Sequence, residues 1–184
     1  MKKRATLYSL YASAIAVCGL VLAAAPASAS IHNTPGYSHI VNAGSGKCID
    51  ASVPDDQYPY DSAQQWRCLN TTMEEWTFQP VNDYLTGRTD LFRIVNNATG
   101  ECLFAESPES RVRLRQCNQY DFLGNWFFGN RGQDSAGSYF QLVNQYPFPG
   151  GECLDLENGD PSDGVPMQTW TCNANTYNQR WRQL

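Results

Sequence analysis

VPMQTWTCNANTYNQRW, Val165 to Trp181, packs two tryptophans, a cysteine, two glutamines and three asparagines into one short stretch. A core takes the rings and rejects the amides, whereas a loop does the reverse. Two other stretches explain the mixture. AQQWRCLNTTMEEW (Ala63–Trp76) and VRLRQCNQYDFLGNW (Val112–Trp126) each carry a cysteine followed eight or nine residues later by a tryptophan, as Cys172 is followed by Trp181. Upstream of each lies an apolar pair with Asn (Ile40-Val41-Asn42, Ile94-Val95-Asn96, Leu142-Val143-Asn144) and then Gly-x-Cys. The first cysteines, Cys48, Cys102 and Cys153, stand 102 − 48 = 54 and 153 − 102 = 51 residues apart. Self-similarity at this period marks a threefold repeat, roughly residues 37–82, 90–130 and 138–184.

The N-terminus is of another kind. Lys2-Lys3-Arg4 precede an uncharged apolar run that ends at Ala27-Ser28-Ala29. A basic start, an apolar stretch and a small-x-small site describe a secretory signal peptide over 1–29, cleaved after Ala29. Cys18 leaves with it; Val17 beside it argues against lipoprotein processing. Residues 30–184 then form one secreted, extracellular domain with no second long apolar stretch to span a membrane. The formal charge of −5 includes the three basic residues of the leader, so the remainder is more acidic still, and nucleic acid is not an expected partner.

Six cysteines remain after Cys18, an even number in an exported chain, and read as disulfides. Repeat symmetry favours Cys48–Cys68, Cys102–Cys117 and Cys153–Cys172, each closing a loop worth about 3 kcal/mol on the chain-entropy estimate. Metal binding is the competing reading, but C-x-x-C ligand pairs are absent from the sequence. Within a unit the pattern alternates and breaks at Gly, Pro, Asn or Asp, which predicts about four short strands per repeat and about twelve in all. One unit of this size cannot bury its apolar face alone. Three closing on each other share a core, filled by the apolar pairs and by Trp76, Trp126 and Trp181.

The Q-x-W before the second cysteine, with Cys-Leu-Asp upstream and Asn-Gln-x-Trp downstream, resembles the ricin B-type lectins over essentially all of residues 30–184. The resemblance implies an all-β β-trefoil with up to three shallow sugar sites and no catalysis or cofactor of its own. It implies that in the third repeat Asp155, Gln168, Trp170, Asn178 and Gln179 face outward and hold a sugar. The side chains have the right chemistry for this. A ring stacks on the apolar face of a sugar, a carboxylate accepts two adjacent hydroxyls, and an amide donates and accepts at once. A shallow site with one acid fits a neutral sugar, with galactosides or xylose-type glycans as the guess from the family.

The other repeats depart from the pattern. The first keeps Asp50, Gln64 and Trp66, but Met73 and Glu74 stand where Asn and Gln belong, so its site is expected to be weaker. Tyr58 and Tyr60 in the intervening loop are expected to pack in a turn rather than supply a ring. In the second, Phe104 replaces the Asp, Arg113 and Arg115 take the Gln and Trp positions, and Leu123-Gly124 replace Asn-Gln, so a sugar site is expected to be lost. Arg111, Arg113 and Arg115 are placed on one side of a strand, with Val112 and Leu114 on the other. A solvated face left by decay is the preferred reading of the arginines; an anion-binding face for a sulfated or acidic glycan is the other. The Q-x-W tryptophan is missing where the Asp is missing too, which suggests that the two share a surface role.

Catalysis has little support. His32 and His39 are distant from any acid or nucleophile motif, and the adjacent pairs Asp55-Asp56 and Glu74-Glu75 are assigned turn or surface roles. DLENGDPSDG lacks EF-hand spacing and reads as a turn, and no metal is expected. Asn70 and Asn97 head N-x-T sequons that matter only in a host that glycosylates them. Two rival functions stay open: a β-trefoil protease inhibitor acting through an exposed loop, and the glycan-targeting subunit of a separately encoded toxin or hydrolase.

Overall fold

The computed structural model describes residues 34–51, 62–83, 86–118, 122–147 and 150–184. The expected signal peptide over 1–29, His32, Asp55-Asp56, Tyr58 and Tyr60 lie outside the described residues. The alternating segments form twelve strands. The first repeat holds β1 (Ser38–Asn42), β2 (Cys48–Ala51), β3 (Ala63–Trp66) and β4 (Glu75–Asp83). The second holds β5 (Arg88–Asn96), β6 (Glu101–Ala105), β7 (Val112–Gln116) and β8 (Trp126–Asp134). The third holds β9 (Gly137–Asn144), β10 (Glu152–Leu156), β11 (Val165–Trp170) and β12 (Trp181–Gln183). Four 3₁₀ turns punctuate them, and no α-helix occurs among the described residues.

Six strands close a ring of antiparallel pairs, β1–β4, β4–β5, β5–β8, β8–β9, β9–β12 and β12–β1. The other six form the hairpins β2–β3, β6–β7 and β10–β11. Their second strands meet around one end, through Val165 opposite Gln65, Arg111 opposite Gln168 and Ser62 opposite Arg113. A closed six-stranded barrel capped by a triplet of hairpins is a β-trefoil, and closure removes the open edges that twelve short strands would otherwise expose. The three disulfides pair as symmetry predicts, Cys48–Cys68, Cys102–Cys117 and Cys153–Cys172.

The core repeats in threes. Ile40, Ile94 and Leu142, then Ile49, Leu103 and Leu154, then Trp76, Trp126 and Trp181 are all fully buried. A buried indole needs an acceptor for its N–H. Trp76, Trp126 and Trp181 donate Nε1–H to the carbonyls of Ile49, Leu103 and Leu154 at 2.9, 3.0 and 3.0 Å. Each late tryptophan is thereby fastened to the first strand of its own repeat's hairpin. Phe78, Phe92, Phe128 and Phe140 fill the rest of the barrel, with ring centroids 4.6–5.5 Å apart between neighbours.

The Asn after each apolar pair joins one repeat to the preceding one. Asn42 Nδ2 donates to the carbonyls of Tyr177, Asn178 and Arg180, Asn96 Nδ2 to those of Met73 and Glu75, and Asn144 Nδ2 to that of Leu123. Their Oδ1 atoms accept from backbone N–H groups of the following turn (Gly44 and Ser45, Ala98 and Thr99, Tyr146). That turn ends at the glycine of Gly-x-Cys, where Gly46, Gly100 and Gly151 have φ of +70°, +70° and +71°. A side chain there would be strained. Asn144→Ala, which removes the amide that joins the Leu123 carbonyl to the Tyr146 N–H, is expected to cost about 1–3 kcal/mol in urea unfolding.

Candidate functional site

In the third repeat, Asp155 of β10 lies opposite Gln168 of β11, so both side chains stand on one face of the hairpin. Asp155 Oδ1 accepts from Gln168 Nε2 at 2.9 Å, and Oδ2 accepts from Asn178 Nδ2 at 2.6 Å and Gln179 Nε2 at 3.0 Å. Asn178 and Gln179 come from the 3₁₀ turn Tyr177–Gln179, which Asn42 holds. A carboxylate accepts about four hydrogen bonds, so about one acceptor position is left for a hydroxyl. Burial pushes the Asp155 carboxyl above its ordinary range, and the bonds from Gln168 and Gln179 pull it back. Trp170 ends β11 with 43% of its surface exposed.

The structure corrects the outward orientation expected of two of these residues. Asp155 and Gln179 do not face outward; they are 2% and 1% exposed. Gln179 Oε1 accepts from Asn173 N–H and Gln141 Nε2, and its Nε2 also donates to the Thr171 carbonyl. It is therefore a brace beneath the carboxylate. The surface is left to Trp170 and the half-buried Gln168 and Asn178. The middle residue of Q-x-W, which its position in the sequence does not single out, is also structural. Thr169 and Gln65 are fully buried and bind the turn of the adjacent hairpin: Thr169 N–H donates to the Ser110 carbonyl, and Gln65 Nε2 donates to those of Asp160 and Ser162.

The first repeat brings Asp50 and Gln64 together in the same register, Nε2 to Oδ1 at 3.2 Å. Glu74 occupies the place of Gln179 and accepts from Leu69 N–H at 2.8 Å, as Gln179 accepts from Asn173. A carboxylate cannot also donate to Asp50. Burial, chiefly, and the nearby Asp50 charge raise the Glu74 pKa; burial likewise raises that of Asp50. Trp66 is half-buried, and a Cβ placed on Gly164 would lie 3.5 Å from its ring.

In the second repeat the pocket floor is filled. Phe104 is 1% exposed, and its ring covers Gly124, the counterpart of Gln179, so closely that a Cβ there would meet it at 2.8 Å. The absence of a side chain at Gly124 leaves room for the Phe104 ring. Val112 and Leu114 point inward, and Arg111, Arg113 and Arg115 share the opposite face.

Glu74 lies in a 3₁₀ turn, Thr72–Glu74, as the turn reading expects, but neither it nor Glu75 is a surface group: both are buried. Glu75 accepts from Thr34 N–H and Asn97 Nδ2; burial alone would raise its pKa, but these bonds hold it below the ordinary range. His39 is fully buried with Nε2 3.7 Å from Glu74 Oε2, and burial lowers its pKa against the pull of Glu75. His39, Glu74 and Cys48 are close together, but Cys48 is committed to its disulfide and offers no thiolate. DLENGDPSDG forms a 3₁₀ turn at Glu157–Gly159 and then a loop whose Asp163 pairs with Lys47 and Arg67.

Glu74→Gln restores a donor at the place where the third repeat has one. The raised folded pKa of Glu74 means that its ionisation costs stability. That cost is absent below the unfolded pKa near 4.5 and grows as pH rises through the folded value. Thermal melts of Glu74→Gln are expected to show a gain on the order of 1 kcal/mol at neutral pH that vanishes below about pH 4.

No curated protein sequence matches the chain. Solved structures share its fold at low identity. The designed threefold-symmetric protein ThreeFoil aligns with a TM-score of 0.64 at 22% identity, over 81% of this chain and 98% of its own. An exo-β-1,3-galactanase from Clostridium thermocellum aligns with 0.64 at 22%, over 82% of this chain but 30% of its own. A ricin B-like lectin of Macrolepiota procera, solved in complex with lactose, aligns with 0.56 at 20%, over 83% and 97%. The family model of the ricin-type β-trefoil lectin domain matches residues 36–181, and the chain belongs to that family.

Proposed function

We propose that the chain is an exported, non-catalytic carbohydrate-binding protein, residues 30–184 after removal of 1–29, with its main sugar site in the third repeat. The observation that carries this is the convergence of three amide donors on Asp155 beside the exposed ring of Trp170. In this reading the ring takes the apolar face of a neutral sugar, while Gln168, Asn178 and the remaining acceptor position of Asp155 meet its hydroxyls. Gln179 holds the carboxylate in place from beneath and opposes the upward push of burial on its pKa. Galactosides are the first class to test, since the Macrolepiota lectin was solved with lactose, and xylose-type glycans the second. Asp50, Gln64 and Trp66 form a weaker site, because Glu74 supplies charge where a donor is needed. One shallow site grips weakly, so strong adhesion rests on a second site or on self-association.

The galactanase, of which the trefoil matches 30%, supports a second reading in which this lectin targets a separately encoded hydrolase or toxin. Co-purification from the native secretion with a catalytic chain would favour it.

Trp170 ends its strand with 43% of its surface exposed, and the glycan-array signal of Trp170→Ala is expected to fall by about tenfold or more while the variant stays folded with a cooperative thermal melt. An unchanged signal would overturn the assignment. Asp155→Ala is expected to lose binding and also about 1–3 kcal/mol of stability, since it removes the acceptor shared by the amides of Gln168, Asn178 and Gln179. Asn42→Ala, which loosens the turn carrying Asn178 and Gln179, is expected to weaken sugar binding where Asn144→Ala does not.

A further inference from the structure

Each hairpin extends its site residues into a row that ends on the neighbouring repeat. In the first, Asp50 lies opposite Gln64, and Gln64 opposite Pro166. In the second, Phe104 lies opposite Arg113, and Arg113 opposite Ser62. In the third, Asp155 lies opposite Gln168, and Gln168 opposite Arg111. Directly opposed residues of antiparallel strands stand on one face, about 4.5–5.5 Å apart. Gln168 reaches Asp155 on that face, so Arg111 stands on it too, at the edge of the site with the full donor set.

The cation is confined to this site. The equivalent places hold Ser62 and Pro166, which carry no charge. Arg115 pairs with Glu106, whereas Arg111 is exposed and makes no ion pair among the described residues. Of ten basic residues beyond the leader (13 − 3), three fall in the run Arg111 to Arg115, in a segment 30–184 whose net charge is 10 − 18 = −8. Long-range attraction therefore does not draw an anion to this chain; a local contact must. A guanidinium is always charged and meets a carboxylate or sulfate with two parallel hydrogen bonds.

We propose that Arg111 makes the third site selective for an acidic glycan, one with a carboxylate or sulfate beside the neutral sugar stacked on Trp170. The inference rests on the third-repeat sugar site proposed above. It departs from the sequence-based preference for a solvated face, because register places Arg111 next to Gln168, which the alternation of Arg111, Arg113 and Arg115 alone does not reveal.

The test is an array of matched glycans in which lactose and xylobiose cores are printed unmodified, sulfated, and carrying an adjacent sialic or uronic acid. The wild-type chain is expected to prefer the anionic members by about tenfold. That preference should disappear in about 0.5 M sodium chloride and in Arg111→Gln, with neutral binding retained. Arg111 contributes its backbone to the bridge with Gln168, so the variant keeps the fold; an unchanged melting temperature checks this. The sulfated and carboxylated arms decide which anion is preferred. Equal binding of neutral and anionic members, or a preference that survives in Arg111→Gln, overturns the role of Arg111 alone. Absence of binding to every member overturns the sugar site and this inference together.

Discussion

The bond from each buried indole N–H to a hairpin carbonyl is the constraint on which the rest depends. An indole cannot leave its N–H unpaired in a dry core, so the strand that offers the carbonyl cannot slide. In the third repeat that carbonyl belongs to Leu154, the residue before Asp155. Core and site thus share one peptide unit: burying Trp181 fixes the height and direction of the Asp155 carboxylate. The same bond in the other repeats holds Asp50 and Phe104 at equivalent places, which is why three different surfaces rest on one scaffold.

On that scaffold the sites change by coupled replacement. Where the third repeat has Asp155 and Gln179, the second has Phe104 and Gly124, and the ring fills the space that a side chain on Gly124 would take. Where Gln179 has its counterpart in Glu74, the acceptor role toward the backbone survives and the donor role toward the carboxylate is lost. Volume and hydrogen-bond direction, rather than charge alone, distinguish the three hairpin faces: one filled by a ring, one with two carboxylates and one amide, and one with three amides around a carboxylate.

Much of this was legible in the chain because the repeat makes it so. Three copies of an apolar pair, Gly-x-Cys and a late tryptophan identify the core and the disulfide partners without any knowledge of distance. The burial of Gln179 and of the middle residue of Q-x-W was not legible. An amide in a polar stretch looks like surface until its partners are known, and those of Gln65 (Asp160 and Ser162) come from another repeat. Glu74 and Glu75 misled for the same reason: charge suggests solvent, whereas backbone N–H groups and Asn97 satisfy them inside.

The threefold unit, its cysteine pairing, its strand character and the residue types on each hairpin can be read from the chain alone, because local spacing and composition carry them. Only the tertiary structure decided which side chains reach the surface, that Asn42, Asn96 and Asn144 tie each repeat to the one before it, and that Arg111 stands beside Gln168. Those facts depend on register between strands distant in the chain, and register is settled by closure of the barrel rather than by any one segment.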